Sequence, residues 1–204
     1  MSDVELSSFS CAYSTAENML HRANVQSGEH VLVTGASGGV GSAAVQLAKC
    51  RGAHVTAVVG ATKLDAVTRL GADRVVRRGV DLVATLGSDC IDVAIDLVAG
   101  SDWPQLIDVL RRGGRYAAAG AIAGPIVEFD VRSLYLKDLT FFGCTFQDDI
   151  VFENLIKHIE SDNIKPVIAK TFTLREIVKA QQAFLTKELF GKIVLIPPRR
   201  GLVP

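Results

Sequence analysis

A short glycine-rich turn is the part of this sequence whose residue types and spacing most clearly indicate chemistry. The turn reads Ala36-Ser37-Gly38-Gly39-Val40-Gly41, follows the apolar run 31–33 and precedes apolar residues at helical spacing. Gly38 and Gly39 are interpreted as positions where the backbone takes conformations closed to other residues and where a phosphate reaches the N–H groups. Gly41 is expected to let the following helix pack tightly against the strand. Because a helix N-terminus favours an anion, the turn predicts a dinucleotide-phosphate site.

The context of this turn decides between two interpretations. Ala36 stands where the usual fingerprint has its first glycine, and an ordinary strand-to-helix turn that binds nothing remains the alternative. The β-branched strand before the turn and the residues Val40, Ala43, Ala44 and Leu47 after it form a strand–turn–helix unit. That combination favours cofactor binding.

The composition limits the class of protein and its partners. The chain has 204 residues, of which 49% are hydrophobic, and its 22 Lys and Arg balance 22 Asp and Glu, so nothing indicates a nucleic-acid or anionic-membrane partner. The four cysteines lie far apart, without metal-ligand spacing or a disulfide framework, which predicts a reducing, cytoplasmic location. No apolar run of roughly 18 residues and no signal peptide are recognised.

Strand and helix patterns alternate along the chain after the turn. Strands are predicted at 31–33, 54–59, 74–76, 93–97, 115–119, 139–144, 169–172 and 193–196, and helices at 63–70, 81–86, 103–110, 151–160 and 174–185. Gly113-Gly114 is expected to stop the helix before it, and 120–131 to form an extended loop. Such alternation predicts one α/β domain, a doubly wound and mostly parallel sheet with helices on both faces.

Six ordered motifs show a resemblance to a known family. They are Cys11–Ala16, Gly28–Gly41 with Gln46–Ala48, Leu70–Asp73, Arg112–Arg115, Lys137–Thr140 and Gly191–Leu195. With them the chain resembles the Rossmann-type cofactor domain of the medium-chain dehydrogenase/reductase superfamily, and most of all its quinone oxidoreductase and zinc-type alcohol dehydrogenase branches. The resemblance implies that the barrel-like amino-terminal substrate domain is absent, so that the chain is a natural or engineered fragment. We expect residues 1–27 to be a leader with a first helix, 28–198 to be the dinucleotide-binding domain, and 199–204 to be a partial expression-tag remnant.

The end of the second predicted strand indicates which cofactor is bound. NAD-specific sites usually place a carboxylate there, whereas this chain reads Val58-Val59-Gly60-Ala61-Thr62-Lys63. Lys63 and the absence of a carboxylate favour NADP(H) over NAD(H). In the resembling reductases a lysine at this position contacts the 2′-phosphate, and Arg78 stands where a tyrosine often assists. An arginine can bind a phosphate through paired hydrogen bonds, whereas Arg77 is interpreted as a surface charge.

The resemblance also implies which other residues line the site. Thr15 aligns with a threonine beside the nicotinamide; the alternative is a helix-start residue whose hydroxyl caps backbone N–H groups. Strand ends that line the cofactor cleft carry over to Val98, Gly120, Ala121, Phe142 and Lys192. Cys11 aligns with a zinc-ligating cysteine, but the other ligands would belong to the absent domain. No zinc is therefore expected in this chain, and Cys11 is a possible ligand only in a full-length parent.

Three functional hypotheses remain open on the sequence. The first is the cofactor half of an NADPH-dependent oxidoreductase that transfers hydride to a quinone, an enone or another carbonyl compound, with little turnover by the isolated chain. The second is a fragment of a zinc-dependent alcohol dehydrogenase. The third is a stand-alone, non-catalytic NADPH-binding module. A homodimer through the apolar edge strand 139–144, which contains Phe141 and Phe142, is expected in addition.

Overall fold

The computed structural model describes residues 1–198 and contains a six-stranded parallel sheet. Its strands are β1 (His30–Val33), β2 (His54–Val59), β3 (Arg74–Arg77), β4 (Ile91–Asp96), β5 (Leu110–Ala118) and β6 (Thr140–Gly143). They are arranged in the order β3-β2-β1-β4-β5-β6, so that β1 and β4 lie in the middle. The order reverses direction between β1 and β4, which is where such sheets open a ligand crevice. The predicted α/β fold is confirmed.

Eight helices accompany the sheet within residues 1–198. They are α1 (Asp3–Arg22), α2 (Gly39–Cys50), α3 (Leu64–Arg69), α4 (Leu82–Leu86), α5 (Trp103–Val109), α6 (Val131–Leu136), α7 (Asp149–Glu160) and α8 (Ile177–Leu185). Among these helices none combines the length and the apolar character that crossing a bilayer requires.

Two hydrophobic clusters form because both faces of the sheet are covered. The larger cluster packs α1, α2 and α7 against one face, and its members Leu47, Val31 and Leu155 are fully buried. The smaller one packs α4 and α5 against the other face around Trp103 and Tyr116, whose ring centroids are 5.7 Å apart. Burying a large apolar side chain such as Leu47 or Leu155 contributes about 1.5–3 kcal/mol to stability. Together these contributions hold the crossover helices against the sheet.

Helix α1 is an integral part of the larger cluster. Ser2 and Glu5 form a capping box at its N-terminus, and Phe9, Tyr13 and Leu20 lie on its buried face. The Tyr13 hydroxyl donates a hydrogen bond of 2.6 Å to the carbonyl of Lys165. The helix therefore packs across α2 and against the segment that precedes the last strands.

Two details of the predicted organisation are wrong. The last two strands, β7 (Ile168–Thr173) and β8 (Lys192–Ile196), form a separate two-stranded parallel sheet and do not extend the main one. Gly113 and Gly114 do not stop a helix, because α5 ends at Val109 and both glycines lie within an irregular part of β5. The predicted loop 120–131, by contrast, agrees with residues 120–130, which lie outside the helices and strands, and Asp130 caps the first turn of α6. The proposed tag remnant at 199–204 lies outside the described residues.

Candidate nucleotide-binding site

The turn between β1 and α2 uses its glycines differently from the sequence-based interpretation. The left-handed backbone conformation belongs to Gly35, with φ of 58°, whereas Gly38 has φ of −81° and Gly39 is helical. The expectation that Gly38 and Gly39 take conformations closed to other residues is thus wrong. A Cβ at Gly39 would lie 2.8 Å from Cδ of Lys192, a flexible side chain that can move aside.

Gly41 brings the helix into contact with the turn, as its position predicted. A Cβ at Gly41 would lie 2.3 Å from the carbonyl oxygen of Gly35 and 2.6 Å from Cα of Ala36, which are backbone atoms that cannot move aside cheaply. Ala36 is itself fully buried. Only glycine permits this close approach, which places the start of α2 against the turn.

The N-terminus of α2 is available to an anion. Gly38 is the N-cap and provides no side-chain hydrogen bond, and the first turn contains no acidic residue. Ser37 is partly exposed beside it, and its carbonyl accepts a hydrogen bond of 3.1 Å from the N–H of Gly191. A 12-residue helix directs its dipole and its unpaired N–H groups at this point, which is the physical basis of a phosphate site.

A cleft opens next to this turn at the carboxyl ends of β1 to β4. Four strand ends and the start of α5 contribute its walls, which are lined by Thr34, Gly35, Ser37, Val58, Val59, Gly60, Arg78, Gly79, Val80, Leu82, Asp96, Val98, Ala99, Asp102 and Leu106. Ser37, Arg78 and Val98 of the predicted site residues lie on these walls. The cleft is mostly apolar, and Gly35 and Ser37 of the phosphate turn lie on its wall, as expected for a site that takes the adenosine part of a dinucleotide.

Asp96 is a residue of the cleft wall that sequence reasoning missed. Its fully buried carboxylate accepts hydrogen bonds from the hydroxyls of Thr34 (2.5 Å) and Tyr116 (2.6 Å) and from the backbone N–H of Val98 (2.9 Å). It also accepts from the N–H of Ala99, whose φ of 51° is unfavourable for alanine. Asp96 therefore holds the strained wall of the cleft in place. The sequence feature that could have indicated this residue is a carboxylate at the end of an apolar strand.

This carboxylate also changes the chemistry of its tyrosine partner. Burial raises the pKa of Tyr116 well above its ordinary value, and the neighbouring charge of Asp96 adds to the rise. The hydroxyl thus stays protonated and keeps donating to Asp96 across the pH range in which proteins are handled.

Arg78 and Lys63 occupy different positions relative to the cleft. The backbone N–H of Arg78 donates to the carbonyl of Val59 (2.6 Å), which fixes Arg78 at the end of β2, and its side chain is exposed on the cleft wall. The ammonium of Lys63 instead donates to the carbonyls of Lys187 (2.7 Å) and Leu189 (2.9 Å). Partial burial lowers the pKa of Lys63, and the positive charge of Arg78 lowers it further.

The remaining predicted cofactor residues fall into two groups. Val98, Gly120 and Ala121 lie in two adjoining loops, since the carbonyl of Val98 accepts from the N–H of Ala123 (2.9 Å) and a Cβ at Gly120 would lie 2.8 Å from the carbonyl of Leu97. Phe142 lies in β6 and packs partly against the larger core cluster.

Thr15 lies in the middle of α1, where its hydroxyl donates to the carbonyl of Cys11 (2.7 Å). The alternative interpretation of Thr15 as a helix-start cap is wrong, because the helix begins twelve positions earlier at Asp3. Ala12, on the same helix, would lie 3.4 Å from a Cβ at Gly39, so this part of α1 borders the phosphate turn.

The residues present do not form a zinc site by themselves. Cys11 is exposed, and within residues 1–198 no group of three or more His, Cys, Asp and Glu side chains is arranged to hold a metal ion. A catalytic zinc usually has three protein ligands.

A parallel sheet with a glycine turn, a helix N-terminus and a cleft at its switch point defines a dinucleotide-binding α/β protein. The sequence profile described as zinc-binding dehydrogenase matches residues 39–161. The chain therefore belongs to this family, as the nucleotide-binding domain of the medium-chain dehydrogenase/reductase superfamily.

Relatives and solved structures agree with this assignment. A putative alcohol dehydrogenase from Sinorhizobium meliloti superposes with a TM-score of 0.92 and 45% identity, over 97% of this chain and 56% of that one. Acryloyl-coenzyme A reductase of Metallosphaera sedula is 35% identical over 86% of this chain and 53% of its own length. The NADPH-dependent alkenal/one oxidoreductase of Arabidopsis thaliana is 31% identical over 91% of this chain and 45% of its own. The chain thus spans about half the length of these relatives.

Proposed function

We propose that this chain binds NADPH and serves as the nucleotide-binding half of an oxidoreductase that transfers hydride to a quinone, an enone or another carbonyl compound. The observation that carries the proposal is the cleft at the ends of β1 to β4, which combines a helix N-terminus for a pyrophosphate with an exposed arginine beside β2.

The preference for NADPH rests on the charges at the end of β2. This end consists of Val58, Val59 and Gly60, so it offers no carboxylate to accept hydrogen bonds from a ribose or to repel a 2′-phosphate. Arg78 is exposed within the same cleft, and a guanidinium binds a phosphate through paired, charge-assisted hydrogen bonds. The relative in Arabidopsis thaliana is itself described as NADPH-dependent.

The role proposed for each residue follows from the part of the dinucleotide that it would contact. The bound dinucleotide supplies the hydride, and the protein binds and orients it. The N-terminus of α2 holds the pyrophosphate, and Arg78 binds the 2′-phosphate. Val98 and Ala99 form the wall of the cleft that Asp96 fixes. The substrate class is inferred from two relatives, which are named for their action on acryloyl-coenzyme A or on alkenals and enones. Because the chain spans about half of these relatives, we expect it to bind nucleotide with little turnover of its own.

A second candidate is a part of a zinc-dependent alcohol dehydrogenase. The similarity to a putative alcohol dehydrogenase favours it, as does the exposed Cys11, whose neighbour Ala12 borders the phosphate turn. Zinc analysis of a protein that carries the remaining half, with Cys11→Ser as the comparison, separates this candidate from the first. A non-catalytic NADPH-binding module is the third, and measurable reductase activity of such a protein would exclude it.

Calorimetric titration with NADPH and NADH at low ionic strength tests the proposal, because phosphate contacts are least screened there. We expect NADPH to bind at least tenfold more tightly, a difference of about 1.4 kcal/mol. Arg78→Ala should remove most of this preference, whereas the adjacent exposed Arg77→Ala should preserve it. Failure of both nucleotides to bind would overturn the cofactor assignment, and equal affinities would overturn the preference for NADPH.

A further inference from the structure

A long-range contact of Lys63 singles out the segment between α8 and β8. Its ammonium donates hydrogen bonds to the carbonyls of Lys187 and Leu189, which are 124 and 126 residues away in the sequence. The resemblance placed this lysine on the 2′-phosphate. In the structure two of its three N–H donors are already used, and Lys63 is not on the wall of the cleft that contains Arg78.

The segment that Lys63 holds leads directly to the phosphate turn. Two residues after Leu189, the N–H of Gly191 donates to the carbonyl of Ser37 (3.1 Å). The next residue, Lys192, lies with its side chain against Gly39, the first residue of α2. Phe190, between the two attachment points, packs against the larger core cluster. Residues 187–192 thus cross from Lys63 to the N-terminus of α2.

The other contacts that the structure shows for residues 187 and 188 are local, to Phe184 and Thr186 at the end of α8. Lys187 has a φ of 57°, which is unfavourable for a residue with a side chain, and its N–H makes a long hydrogen bond of 3.3 Å to Phe184. The β7–β8 ladder begins only at Lys192, where it pairs with Ile168. Residues 187–189 therefore depend on Lys63 for part of their position.

We propose that Lys63 is a positioning residue, which holds residues 187–189 so that Lys192 stays at the pyrophosphate end of the site, while Arg78 makes the direct contact with the 2′-phosphate. This inference rests on the proposed binding of NADPH. It gives the two cations separable effects: Lys63 supports binding of both nucleotides, and Arg78 distinguishes them.

The test compares Lys63→Met with Arg78→Met by calorimetry, using NADPH, NADH and 2′-AMP, which carries the 2′-phosphate without a pyrophosphate. Lys63→Met should weaken NADH roughly tenfold, about 1.4 kcal/mol, although NADH has no 2′-phosphate. NADPH should weaken at least as much, because the lost charge also lies close to Arg78. Arg78→Met should weaken NADPH and 2′-AMP and leave NADH unchanged. Lys157→Met, at an exposed site on α7, is the matched control and should change nothing.

Two additional measurements separate positioning from a general loss of stability. Lys63→Arg retains a donor and should restore most of the affinity, and all titrations are made well below the unfolding temperature of each variant. A selective loss of NADPH and 2′-AMP in Lys63→Met, or unchanged affinity for every ligand, would overturn the inference. If the unmodified protein bound neither nucleotide, the proposed function would fail instead, so the two failures are distinguishable.

Discussion

At the scale of single residues, buried polar groups of α1 and α7 form a cluster that no sequence pattern indicated. Glu17 is fully buried and accepts a hydrogen bond of 2.5 Å from the guanidinium of Arg51, while its Oε2 has no partner within the described residues. His158 on α7 lies near both charges, and its buried Nδ1 has no hydrogen-bond partner within residues 1–198 either. A protonated imidazole would have to carry its charge in this poorly solvated place.

The pH dependence of stability follows from this position. Burial lowers the pKa of His158 below its ordinary value of 6.5; Glu17 opposes the shift and Arg51 adds to it. Since the unfolded chain then binds the proton more readily, the contribution of His158 to stability is complete above about pH 6.5 and is lost as the pH falls below that value. Urea unfolding at pH 7.5 and pH 5.5 should show a smaller acid-induced loss for His158→Gln than for the unmodified protein. The exposed His21→Gln is the control, and equal losses in all three proteins would contradict the prediction.

At the scale of elements, the sequence predicted what depends on local pattern. Apolar runs such as 54–59 identified strands, and the spacing after Gly38 identified α2, because periodicity reports which faces are buried. The separation of β7 and β8 from the main sheet could not be predicted, since strand pairing is decided by tertiary contacts and not by the strands' own residues. The same holds for the role of Asp96, whose partners Thr34 and Tyr116 are distant in sequence.

The glycine turn gives a prediction at this scale. Gly41→Ala places a Cβ against the backbone of Gly35 and Ala36, so helix and turn must separate, at a cost of about 1–3 kcal/mol in the free energy of unfolding. Affinity for both nucleotides should fall with it, because the helix N-terminus moves. Gly60→Ala meets no atom within 4 Å and has φ of −67°, so its stability should stay within about 0.5 kcal/mol. Denaturant titration of both variants is the measurement; equal stabilities would contradict the packing argument.

At the scale of the whole molecule, the edge strand β6 bears on self-association. It is the outer strand of the main sheet, and Thr140 and Phe141 on it are exposed, although the Phe141 ring also packs within 5.3 Å of the Tyr116 ring, centroid to centroid. An unprotected apolar edge favours pairing with another copy, and a homodimer through β6 remains a proposal.

Sedimentation analysis tests this dimer. Thr140→Lys places like charges on two edges that approach each other, so it should raise the dimer dissociation constant at least tenfold, about 1.4 kcal/mol. Thr68→Lys, on α3 beside the opposite edge of the sheet, should leave the association unchanged. A monomeric unmodified protein, or an unaffected Thr140→Lys variant, would argue against pairing through β6.

The contact between residues 187–192 and the phosphate turn has a consequence for the order in which the protein is made. The six strands of the main sheet are complete once residue 143 has been synthesised, but the phosphate end of the cleft also needs Gly191 and Lys192. At about 5–20 residues per second, the ribosome produces the sheet seconds before it produces the last part of the site. All six strands of the main sheet are therefore synthesised before the phosphate end of the nucleotide site is complete.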